Sequence, residues 1–158
     1  MTDRETMRKE VERQGLKIAH DPDALEIVSG AFAQVKQVFP DELKRTPITS
    51  LMVYDMAQQT EGPGVRADGI VFYKKIGDGR YLYAVAISTQ AIYRGIDYVY
   101  FLFLHELAHV FVHETQERDG EQQSHSTLYE AMLNELINLF NRQTGANLSN
   151  DYALYGKD

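Results

Sequence analysis

Two histidines and a glutamate, His105, Glu106 and His109, stand in the run YFLFLHELAHVFVHE (residues 100–114), which is otherwise almost entirely apolar. Residues four apart on a helix lie one above the other on the same face, so His105 and His109 can each turn one ring nitrogen toward a single ion. Glu106 follows His105 by about 100° of helical rotation, which lets it flank that ion and take a proton from a water held there. The H-E-x-x-H spacing thus supplies two metal ligands and a general base, the set that zinc chemistry uses to hydrolyse a carbonyl compound. Without a metal or other partners, burying three ionisable groups on so apolar a helix costs on the order of several kcal/mol.

A hydrolytic zinc site needs a third protein ligand. His113 lies about 12 Å beyond His105 along a straight helix, whereas ligands of one tetrahedral zinc sit about 3–4 Å apart. No Gly or Pro interrupts HVFVHE, so His113 and Glu114 are expected in the last turn of an unbroken helix, where an imidazolium suits the helix dipole. The remaining candidates lie beyond a polar connection: His125, Glu130 and Glu135. His125 comes just before the last helix, where the chain turns, and is the expected ligand. Glu130 also fits the fourth position of a capping box begun by Thr127, and Glu135 also suits an exposed helix face; both fall at the edges of that helix's apolar arc. An oxyanion stabiliser should exist. Tyr93, Tyr152 and Tyr155 are candidates by residue type alone.

The elements that must position these groups read as follows. Residues 2–13 form a polar helix, expected to be solvated, and Gly15 ends it. Asp21-Pro22 starts a second helix, whose apolar positions run from Leu25 to Val38 and suit packing on a sheet, and Pro40 stops it. Strands are expected at 48–56, 69–75 and 81–88, the last two joined through Asp78-Gly79 as a hairpin. Asp97 is placed to cap the metal helix at about Tyr98; this helix is apolar on nearly all sides and should run through the middle of the domain. An amphipathic helix over 126–142, ended by Gly145, closes the chain. The order predicts an α+β fold in one domain, residues 1–158, with N-terminal helices, a three-stranded largely antiparallel sheet, a buried metal helix and a closing C-terminal helix.

Composition limits the function classes. The chain has 158 residues, 44% hydrophobic and 25% charged, a globular balance with no repeat or low-complexity tract. A formal net charge of -7 does not support a nucleic-acid or anionic-lipid partner; Lys74, Lys75 and Arg80 form the nearest approach to a basic patch and read as a solvated hairpin face. There is no cysteine, so any zinc must be held by His, Asp or Glu. No apolar run is long enough to cross a bilayer, and a cytoplasmic location is the expectation.

LHELAHVFVH, followed after a polar stretch by SHSTLYEAML, resembles the SprT-like zinc metallopeptidases. The resemblance covers residues 48–140. It implies a zincin-like fold, one zinc held by His105, His109 and His125, Glu106 as the base, Tyr129 packed behind His125, and a protein or peptide as substrate. Ser126 stands where the family often has glycine, and the cysteine ribbon that many members carry is absent. HELAH-type helices are also similar to those of the ImmA/IrrE-like group. Glu130, followed by Asn134, sits near the spacing at which thermolysin-like enzymes place a ligand. Each alternative changes the third ligand and leaves the hydrolytic chemistry. An extended substrate is expected to add to the edge of the strand at 81–88. The rival function is a binding or regulatory module that keeps the fold and recognises a protein partner without turnover.

Overall fold

The computed structural model describes residues 1–117 and 127–151. Among them are helices α1 (Asp3–Arg13), α2 (Pro22–Val38), α3 (Pro40–Arg45), α4 (Thr89–Ile92), α5 (Ile96–Val112) and α6 (Thr127–Thr144), and strands β1 (Ser50–Tyr54), β2 (Gly69–Gly77) and β3 (Arg80–Ser88). None of these helices is long and apolar enough to cross a membrane.

The fold is α+β, and its sheet is mixed rather than largely antiparallel. The strand order is β1-β3-β2. β2 and β3 form the expected antiparallel hairpin, with Gly77 opposite Arg80 and Gly79 at φ +67 in the two-residue turn. β1 pairs with β3 in parallel, Ser50 against Ala84 through Tyr54 against Ser88. The reason is the connection after β1. Residues 55–68 carry the chain across to the far side of β3 before it turns back, so β1 and β3 run the same way and β3 takes the centre.

Strict alternation along β3 splits the core in two. Tyr83, Val85 and Ile87 face one side with Val53 and pack against α2, α5 and α6. Leu82, Ala84 and Ala86 face the other with Met52, Tyr54 and Phe72. α1 covers this second face. The expectation of a solvated helix is therefore corrected: Met7 and Val11 are fully buried on the sheet. Two apolar residues one turn apart make too narrow a stripe to stand out in a polar sequence. The helix is capped by Thr2, whose hydroxyl accepts from the Glu5 N–H while the Glu5 carboxylate accepts from the Thr2 N–H.

The hairpin cations serve the same packing. Lys74 Nζ lies 3.3 Å from Glu10 Oε1, and Arg80 lies 3.7 Å from Asp3. Glu10 is buried and also takes hydrogen bonds from Arg13 and Gln14; the Arg13 guanidinium first, then Gln14 and Lys74, outweigh its burial and hold its carboxyl at about 2.

Pro40 ends α2 as expected but also opens α3. Phe39, just before the proline, is held out of helical geometry at φ -123, and Pro40 restarts the helix with Asp41 and Glu42 in its first turn. α5 begins earlier than expected. Gly95 is its N-cap at φ +120, a backbone conformation that a side chain disfavours, and Asp97 lies in the first turn. α5 is buried along nearly its whole length between the sheet, α2 and α6. Past Val112 it winds into a π-turn over His113–Glu117. Thr115 donates its hydroxyl to the Phe111 carbonyl, a side-chain bond that competes with the regular ladder.

Candidate metal centre

Among the described residues, His105, Glu106 and His109 form the one group placed to hold a metal ion, with one ligand-type atom from each and all of these within 4.8 Å of one another. The histidine rings are 5.4 Å apart. His105 and Glu106 are 6% and 4% exposed, while His109 is half-buried and marks the open side. α5 creates this cluster through the four-residue spacing, and its apolar flanks keep bulk water from two of the three groups.

Glu106 Oε2 lies 3.2 Å from His105 Nδ1. An ionised carboxylate only accepts, so with Glu106 ionised and the imidazole neutral this contact selects the tautomer with its proton on Nδ1 and its lone pair on Nε2. The other carboxylate oxygen of Glu106 accepts no hydrogen bond among the described residues, which is costly at 4% exposure. The donor set fits a zinc: two imidazoles from one helix face, in an apolar setting, with an unsatisfied buried carboxylate oxygen beside them.

Gly69, the first residue of edge strand β2, closes onto this group. A β-carbon there would stand 3.2 Å from Glu106 Oε2 and 3.5 Å from Leu102. The preceding Asp68 straps the strand end to α5 and β3. Its carboxylate accepts from Ser88 Oγ at 3.2 Å and from the Tyr98 hydroxyl, its carbonyl accepts from the Ser88 N–H, and Arg94 lies 3.6 Å away. Burial first, and then the Asp68 carboxylate, push the Tyr98 phenol above its ordinary value. Sequence reasoning missed both Asp68 and Gly69. The available signal was a glycine at a strand start, which often marks the close approach of another group.

Tyr129, on α6, braces both histidines. Its hydroxyl donates to the His105 carbonyl at 3.0 Å, and its ring stacks on His109 at 4.2 Å between centroids. Tyr129→Phe keeps the stacking and loses one hydrogen bond, so zinc affinity should fall by no more than about tenfold; Tyr129→Ala frees both rings and should cost roughly 10–100-fold. Competition against a zinc-chelating dye checks this ordering, and equal losses in the two variants would contradict it.

His113 is buried but stands outside the metal group, as helix length requires. Tyr83 holds it. The Tyr83 hydroxyl donates to Glu114 Oε2 and lies 2.7 Å from His113 Nδ1, while Tyr73 and Tyr81 pack on the imidazole ring. The group takes in neither Glu130 nor Glu135. Glu130 accepts from Asn150 Nδ2 at 2.9 Å, and Glu135 is exposed. His125, the expected third ligand, lies outside the described residues, as do Tyr152 and Tyr155. Tyr93 is 75% exposed at the end of α4.

No protein-family model, curated protein or solved structure matches this chain.

Proposed function

We propose that this protein is a zinc-dependent metallopeptidase of zincin-like, SprT-like type, with His105, His109 and His125 holding one zinc and Glu106 acting as general base. The observation that carries the reading is the buried carboxylate of Glu106, which spends one oxygen on His105 and has no donor for the other among the described residues, beside two ligand-type histidines. Zinc held there would supply a Lewis acid for the scissile carbonyl and lower the pKa of a bound water to about 7.

The chain's own residues do the rest. Glu106 takes the proton of the attacking water on its second oxygen and returns it to the leaving amine nitrogen. His105 is held in one tautomer by Glu106, and Tyr129 fixes the backbone and ring beneath the pair. The absent side chain at Gly69 leaves the base its space. Substrate placement needs one correction. Strand 81–88 is β3, the central strand, so its edges are taken by β1 and β2. The edge that reaches Glu106 is that of β2, and an extended peptide would run beside it. A module that only binds a partner has no use for an unsatisfied buried base, which favours hydrolysis over the binding reading.

The test is metal removal. The protein should cleave an unstructured polypeptide, lose cleavage on dialysis against a chelator, and regain it with one equivalent of zinc. Cleavage that survives full chelation would overturn the reading.

A further inference from the structure

The opposite edge of the sheet carries a second feature that the metal centre does not use. A groove of about 820 Å³ runs along the outer edge of β1, walled by α1 on one side and α2 on the other. Its floor includes Ile48, Leu51 and Val53, and Leu25 adds an apolar wall that is 39% exposed. β3 occupies the inner edge of β1. The Val53 carbonyl accepts from the Ala19 N–H on the outer side. Alternate residues of a strand turn both backbone groups the same way, so Leu51 also presents its N–H and C=O outward, into the groove.

The rim is cationic on a chain whose net charge is -7. Arg4, Arg8 and Lys36 line it, all exposed. Arg8 has only a loose 3.8 Å contact with Glu12, and Arg4 and Lys36 make no ion pair among the described residues. The two carboxylates in the lining are committed elsewhere: Glu5 closes the capping box of α1, and Asp21 caps α2 by accepting from the Ala24 N–H. Helix capping thus turns the acidic groups toward backbone donors and leaves the cations to face the groove.

We propose that this groove binds an extended acidic peptide, which adds as a strand beside Leu51, rests apolar side chains on Leu25 and Leu51, and pairs its carboxylates with Arg4, Arg8 and Lys36. The Ala19–Val53 hydrogen bond closes one end of the edge, so the peptide registers on Leu51. The site is separate from the metal centre and does not rest on the peptidase reading.

The experiment uses the full chain carrying Glu106→Gln, so that hydrolysis cannot consume the probe whichever way the peptidase reading falls. The probes are a fluorescein-labelled decapeptide with a central Val-Glu-Val-Glu-Val run and its lysine counterpart. The acidic peptide should raise fluorescence anisotropy saturably, the basic one should not, and the Leu51 amide should become protected from hydrogen exchange. Arg4→Glu combined with Lys36→Glu, both at exposed positions, should weaken binding by about tenfold or more with the fold unchanged by circular dichroism. No binding, equal binding of both peptides, binding indifferent to the double charge reversal, or protection at β2 instead of β1 would each overturn the proposal. So would a dimer in sedimentation that the same double variant dissociates, since the occupant would then be a second copy.

Discussion

Glu106→Gln should abolish peptide hydrolysis and leave zinc in place. Positioned acid–base catalysis contributes about 10²–10⁴ in rate, so the cleavage rate of an unstructured polypeptide should fall by at least about a hundredfold. Glutamine matches the shape of the carboxylate, and its amide oxygen can still accept from His105 Nδ1, which Glu106 Oε2 approaches to 3.2 Å. The tautomer, the helix and the ligand nitrogens therefore survive the change, and only the base is lost. Activity within a few-fold of the original would remove Glu106 from the mechanism. Loss of zinc together with activity would make Glu106 a ligand instead, a role its place within the 4.8 Å group leaves chemically open.

The second large effect is on stability. Phe103→Ala should destabilise the protein by about 3–5 kcal/mol, a large share of the roughly 5–15 kcal/mol that holds an ordinary domain together. Phe103 is fully buried in the middle of α5, with its ring 5.2 Å from that of Phe32 on α2. Removing it opens a cavity at the contact that fixes α5 against α2. A shift in urea midpoint with an unchanged slope is the expected readout. A cost below about 1 kcal/mol would mean that α5 is not the centre of the core. Tyr93→Ala, at an exposed position, should stay within about 0.5 kcal/mol and serves as the control.

Much of this was legible in the sequence because its signals are local. Four-residue spacing brought His105 and His109 together, and the eight residues between His105 and His113 put the latter out of reach of the same ion. Asp78-Gly79 announced the hairpin, and Asp21-Pro22 the start of α2. What was missed depends on residues far apart in the chain. The parallel pairing of β1 follows from where the 55–68 connection crosses, which no strand pattern records. The burial of α1 rests on Met7 and Val11 finding Tyr54, Phe72 and Leu82. The strap at Asp68 joins groups from β3, α5 and the connection between α4 and α5, and Gly69 matters only because Glu106 arrives from α5. The π-turn needed Thr115 to be seen against the Phe111 carbonyl, while HVFVHE by itself reads as plain helix.

The central claim is that one face of α5 holds a metal. Elemental analysis of protein purified without added metal tests it most directly, with the chain compared against His105→Ala and His109→Ala. One zinc per chain is expected in the unaltered protein and less than about a tenth of that in either variant, with the helical signal retained. A protein that is metal-free after zinc supplementation, or variants that keep a full equivalent, would contradict it.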